Sequence, residues 1–121
     1  MADVKDRILS VEDQPAFSLM VEAVLQDMGL REICSVSTLG DALRQLSQNV
    51  FSLVILDLQL GEENGLIVAE QCAQRDIPVV FSTGFGKEFV PVTYGSERVL
   101  RKPYSADELK SAVARVLHDL R

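Results

Sequence analysis

The chain predicts a single α/β domain, a parallel sheet with helices on both faces, and three observations point there. Short runs rich in Val, Ile and Leu alternate with segments whose apolar residues recur at helical spacing. Several of these runs end in polar residues, namely Glu12-Asp13, Asp57, Thr83 and Lys102. At 121 residues the chain is long enough for one domain that buries roughly two thirds of its unfolded surface without staples.

Arg7 to Val11 reads as a buried strand that delivers the acidic pair at its C-terminal end. Gln14-Pro15 opens a helix carrying Phe17, Met20, Val21, Val24, Leu25 and Met28 at helical spacing, and Gly29 stops it. Glu32 to Val36 is a second strand. Thr38-x-x-Asp41 has the form of a capping signal for a helix with Ala42, Leu43 and Leu46. Phe51 to Leu56 is the strongest strand, apolar almost throughout, which places it at the centre of the sheet with Asp57 at its end. Gly61 to Gly65 reads as a loop.

Leu66 to Ala73 fits a third helix, and Ile77 to Phe81 a fourth strand that ends at Ser82-Thr83-Gly84. Val99 to Arg101 is the fifth strand. Ser105-x-x-Glu108 forms a capping box for a last helix with Leu109, Ala112, Val113, Val116 and Leu117. Between them, Phe85 to Glu97 is interrupted by Gly86, Pro91 and Gly95 and rich in β-branched residues, which predicts a short or irregular fourth helix.

Composition narrows the function. Twelve basic against eighteen acidic residues give a net charge of -6, and no basic run is present to neutralise a row of phosphates, so nucleic-acid binding is not expected. No apolar stretch reaches the roughly 18 residues a membrane span needs, and no signal peptide is expected. Cys34 and Cys72 match neither a redox pair nor a metal-finger spacing, which suits a reduced, cytoplasmic protein. His118, far along the last helix, reads as a surface residue.

Ligands of open parallel sheets bind beyond the carboxyl ends of the strands, where Glu12, Asp13, Asp57, Thr83 and Lys102 all fall. Singly, each has an ordinary explanation: a solvated helix start, a turn residue, an exposed cation. Together they describe one pocket. Three crowded carboxylates repel one another unless a divalent cation lies between them, and hard oxygen ligands suit Mg2+. A lysine and a hydroxyl facing the same ion point to phosphate chemistry.

Val11-Glu12-Asp13, Val54 to Asp57, Ser82-Thr83-Gly84 and Arg101 to Tyr104, in this order, resemble the motifs of two-component response regulator receiver domains, over residues 1–121. The resemblance implies a flavodoxin-like (CheY-like), doubly wound five-stranded sheet of order 2-1-3-4-5. It implies that Asp57 is the phosphoacceptor, with Thr83 and Lys102 as its partners. Glu12, Asp13, Asp57 and the backbone carbonyl of Gln59 would hold Mg2+. The donor would be a sensor histidine kinase or phosphotransfer protein. Output would come from contact with an unknown downstream protein, or from competition for phosphoryl groups, by a monomer or weak homodimer. Beyond modification and hydrolysis at Asp57 itself, no enzymatic activity is implied.

Two positions depart from the family pattern. Gly61 stands where many receivers have proline, which predicts a more mobile loop. Val99 stands where an aromatic residue usually couples to the threonine. Phe81 to Gly86 resembles an atypical, often single-domain subgroup named for a Phe-Ala-Thr-Gly motif (FAT GUY), with Ser82 in place of the alanine. On this reading the partner surface includes Gly84 to Gly95, the fifth strand and the last helix, with Phe85, Phe89, Val92 and Tyr94 as anchors; the alternative is that these side chains simply cover the sheet. Two other readings compete: a phosphate-independent pseudo-receiver, and an aspartyl phosphatase, which needs an acid where Gln59 stands.

Overall fold

The structure, a computed structural model, describes residues 6–84, 90, 94, 95 and 98–119. The chain order is β1 (Arg7–Val11), α1 (Pro15–Asp27), β2 (Glu32–Val36), α2 (Leu39–Gln48), β3 (Leu53–Asp57), β4 (Gln59–Leu60), β5 (Glu63–Asn64), α3 (Leu66–Gln74), β6 (Val79–Thr83), β7 (Val99–Arg101) and α4 (Ala106–Asp119). Five strands form one parallel sheet in the order β2-β1-β3-β6-β7. With the small β4-β5 hairpin set aside, this is the expected 2-1-3-4-5. Most of the segment expected to form the irregular fourth helix, Phe85 to Glu97, lies outside the described residues, as do Phe85, Phe89 and Val92.

The central strand shows why the sheet is covered twice. Along β3, Leu53 and Ile55 enter one core with Val21, Leu25, Leu109 and Val113 from α1 and α4. Val54 and Leu56 enter the other with Ala42, Leu46, Val68 and Cys72 from α2 and α3. A strand buried on both faces reads as a continuous apolar run, as this one does. Each core holds side chains whose burial is worth about 1.5–3 kcal/mol apiece before chain entropy is counted. The first polar residue of β3, Asp57, arrives only where the covering ends.

The helix signals take the expected forms. Pro15 occupies the first turn of α1, and the Thr38 hydroxyl accepts from the Asp41 amide at 3.1 Å. Ser105 and Glu108 bond reciprocally, each at 3.1 Å, before α4. The Lys110–Asp27 ion pair ties α4 to the end of α1. Cys34 and Cys72 are unpaired, and burial pushes the Cys72 thiol up to about 12. Met20 and Met28 are partly buried against the α1–α4 core, and His118 is exposed in the last turn of α4.

The segment read as a loop after Asp57 contains a two-stranded antiparallel hairpin, with Gln59 opposite Asn64 and Leu60 opposite Glu63. The Gly65 amide closes it on the Leu58 carbonyl at 2.7 Å. A Cβ at Gly65 would lie 2.8 Å from the Asp57 carbonyl oxygen, with Leu56 and Leu58 atoms at 3.3 Å. Gly65→Ala is therefore expected to destabilise by about 1–3 kcal/mol in urea unfolding. At Gly40, inside α2 with nothing near a Cβ, alanine is expected to stabilise by about 0.5–1 kcal/mol in the same assay. Equal effects at the two glycines would contradict the close approach at Gly65.

Candidate functional site

The ends of β1, β3, β6 and β7 meet on one rim of the sheet. Two backbone bonds past the strand ends hold them in register: Glu12 N–H to the Val36 carbonyl at 3.0 Å, and Lys102 N–H to the Thr83 carbonyl at 2.8 Å. An open cleft of about 630 Å3 lies there, lined by Asp13, Gln14, Phe17, Asp57, Gln59, Gly61, Gly84, Lys102 and Pro103. The Lys102-Pro103 peptide is cis.

Glu12 and Asp57 are both nearly buried, at 5% and 4% exposed. Carboxylates at that depth cost several kcal/mol unless cations or donors meet them. Lys102 meets both, with Nζ 2.7 Å from Glu12 Oε1 and 2.9 Å from Asp57 Oδ2. Asp57 Oδ1 also accepts from the Gln59 amide at 3.0 Å, and Glu12 Oε2 from the Gln14 amide at 3.0 Å. Burial still raises the Glu12 carboxyl above its ordinary value against the opposing pull of Lys102. For Lys102 burial favours the neutral form, but the bonds from Glu12 and Asp57 outweigh it and its pKa rises.

Asp13 is the exposed member of the cluster, and its Oδ2 accepts from the Gly61 amide at 3.0 Å. Gly61 adopts φ +64°, a left-handed conformation closed to proline, and proline would also lack this donor. The departure at position 61 thus fastens the hairpin to the acidic pair. Carboxylate oxygens of Glu12, Asp13 and Asp57 all lie within 4.8 Å of one another. Three oxygen donors this close, two of them buried, fit a small hard cation with room for waters on the cleft side.

Every residue expected at the site lies on this rim. Thr83 is fully buried at the end of β6, and Gly84, next in the chain, lines the cleft. Gln59 faces the cleft beside Asp57. Two residues were not singled out from the sequence. Gln14 Oε1 accepts from Lys102 Nζ at 2.9 Å, and the Phe17 ring lies under the same ammonium, 4.6 Å from its centroid. Phe17 in turn packs on Tyr104, ring centroids 5.7 Å apart, and the Ser82 hydroxyl donates to the Tyr104 oxygen at 3.4 Å. Their nearness to Glu12-Asp13 in the chain was the one available signal.

Comparison with known proteins agrees with this geometry. The family model described as the response regulator receiver domain matches residues 8–114. The alginate biosynthesis transcriptional regulatory protein AlgB of Pseudomonas putida is 32% identical over 120 residues, 95% of this chain and 27% of its own length. The transcriptional regulatory protein DltR of Streptococcus agalactiae is 27% identical over 88% of this chain and 50% of its own. The chain thus spans a quarter to a half of these curated relatives. Among solved structures, SdrG from Sphingomonas melonis superimposes with a TM-score of 0.81 at 34% identity, covering 96% of this chain and 99% of that one. The HemR receiver domain from Leptospira biflexa gives 0.80 at 29% identity, covering 93% and 94%. Motifs, sheet order and these likenesses agree, and the chain belongs to the response regulator receiver domain family.

Proposed function

We propose that residues 1–121 act as a single phospho-accepting receiver domain in which Asp57 takes a phosphoryl group from a histidine kinase or phosphotransfer protein. The observation that carries this reading is the buried Asp57 carboxylate bonded to Lys102 beside two further carboxylates. Asp57 is the nucleophile. As its oxygen bonds to phosphorus, the P–N bond of the phosphohistidine breaks and its electron pair leaves with the imidazole. Lys102, already 2.9 Å from Asp57, would balance charge on the phosphoryl oxygens, and the Thr83 hydroxyl would donate to one of them. Attack by water on the acyl phosphate returns the carboxylate and inorganic phosphate.

Glu12, Asp13, Asp57 and the backbone carbonyl of Gln59 would hold Mg2+. When bound, it supplies Lewis-acid neutralisation of the transferring group. The net charge of -6 favours a protein partner over nucleic acid, and no helix among the described residues is long and apolar enough to cross a membrane. On this reading output comes by contact with a downstream protein or by competition for phosphoryl groups, from a monomer or weak homodimer in the cytoplasm. The Phe81 to Gly86 stretch and Val99 support placement in the atypical FAT GUY-type subgroup.

With Mg2+ and phosphoramidate, intact-mass measurement is expected to show one added phosphoryl group on the wild type and none on Asp57→Asn or after chelation of the metal. Equal modification of the Asp57→Asn variant would refute the assignment. Lys102→Ala leaves two buried carboxylates without their ammonium. It is expected to lower stability in metal-free buffer by about 3 kcal/mol, and to slow phosphorylation by about a hundredfold while Mg2+ still binds. Calorimetry and stopped-flow rates check the two effects separately.

A further inference from the structure

An ammonium group has three N–H donors, and the structure gives each of those on Lys102 an acceptor: Glu12 Oε1 at 2.7 Å, Asp57 Oδ2 at 2.9 Å and Gln14 Oε1 at 2.9 Å. The Phe17 ring covers a further side at 4.6 Å. Two of these four contacts are carboxylates of the acidic cluster, and two are neutral groups at the start of α1. The two kinds respond differently to a divalent cation, which prefers the anionic oxygens to the neutral amide oxygen of Gln14. Such a cation competes with the ammonium for carboxylate oxygens and repels it, but it has little claim on an aromatic face.

The start of α1 is shaped for this contact. Gln14 occupies the N-cap position, where Ser, Thr, Asp or Asn ordinarily accepts from the helix amides. Its side chain makes no cap hydrogen bond and reaches Lys102 instead. Phe17 stays partly exposed at a polar cleft, its ring held by the buried Tyr104. A merely structural aromatic at that position would gain more by complete burial.

We propose that Gln14 and Phe17 are positioning residues that form a neutral cradle for Lys102. The cradle holds the ammonium at the cleft when Glu12 and Asp57 turn to a divalent cation, so that phosphoryl oxygens arriving at Asp57 meet a cation already in place. This rests on the reading of Asp57 as phosphoacceptor. The carboxylates hold Lys102 in the metal-free protein, and the cradle holds it in the metal-loaded one.

The test uses the full chain as wild type, Phe17→Leu, Phe17→Tyr and Gln14→Ala. Two quantities are measured: the rate of phosphorylation by phosphoramidate at saturating Mg2+, and the nitrogen-15 signal of the Lys102 ammonium during Mg2+ titration. Phe17→Leu is expected to slow phosphorylation about five- to tenfold, the loss of a largely desolvated ammonium–ring contact. Gln14→Ala is expected to slow it about threefold through one lost charged hydrogen bond. In Phe17→Leu the Lys102 signal should be normal without metal and broaden away as Mg2+ binds, with Mg2+ affinity unchanged. Phe17→Tyr, which keeps the ring, should restore both rate and signal. A Phe17→Leu protein that phosphorylates at the wild-type rate and keeps its Lys102 signal in Mg2+ overturns the cradle. So does a tyrosine variant as slow as the leucine one. A wild type that accepts no phosphoryl group sinks the reading of Asp57 instead, and the metal-dependent Lys102 signal then decides the cradle by itself.

Discussion

The site depends on a single ammonium group. Lys102 compensates two carboxylates, Glu12 and Asp57, that are each at least 95% withdrawn from solvent. Two buried anions and one cation leave the cluster short of positive charge even before Asp13 is counted. An isolated buried charge of this kind costs several kcal/mol, so the folded chain tolerates the cluster only because the rest of the fold is well packed. The deficit also gives the site its chemistry. On the proposed reading a divalent cation would make up that deficit, and a phosphoryl group would reach the Asp57 carboxylate beside it.

The packing explains how the charges are kept in place. Parallel pairing fixes the register of β1, β3, β6 and β7 residue by residue, and the ladder continues past the strands through Glu12 to Val36 and Lys102 to Thr83. The charged side chains therefore stand on backbone that cannot slide without exposing a row of core residues. The hairpin after Asp57 adds a clasp from outside, because Gly61 bonds Asp13 and Gly65 bonds Leu58. The acidic pair and the segment that follows Asp57 are joined twice, once through the sheet and once across the cleft.

Much of this was legible in the residues. A strand buried on both faces announces itself as an apolar run, and a polar residue at its end marks the rim, which is why Glu12, Asp13, Asp57, Thr83 and Lys102 could be placed together. Boundaries moved where pairing overrode pattern. Phe51 and Ser52 precede β3 although they continue its apolar run, and β6 starts at Val79 because Pro78 has no amide to donate to the ladder. It then extends through Thr83 because Phe81 to Thr83 pair with β7. The hairpin was not legible. Its two-residue strands have no periodicity to read, and it forms because Gly61 can turn left-handed where a proline could not. Gln14 and Phe17 were read as a helix opening and a core position, since spacing along a helix does not reveal a contact made across 85 residues or more of chain.

With Val99 where the family pattern leads one to expect an aromatic residue, the ring beside Lys102 comes from α1. Val99 stands opposite Phe81 in the sheet, and the aromatic contact there comes from Tyr94, edge-on to Phe81 with centroids 4.8 Å apart. Among the described residues the aromatic side chains around Lys102 are Phe17 of α1 and Tyr104, with Ser82 joined to them through the Tyr104 hydroxyl. On the proposed reading, a shift of the ammonium toward a phosphoryl group on Asp57 would be felt at the Phe17 ring, 4.6 Å away. Phe17 belongs to the helix whose Val21 and Leu25 fill the core against α4, and close-packed interiors do not absorb such a shift locally. The ring against Lys102 thus comes from α1, where Phe17 is packed onto the α1–α4 core, and not from β7, where valine stands at position 99.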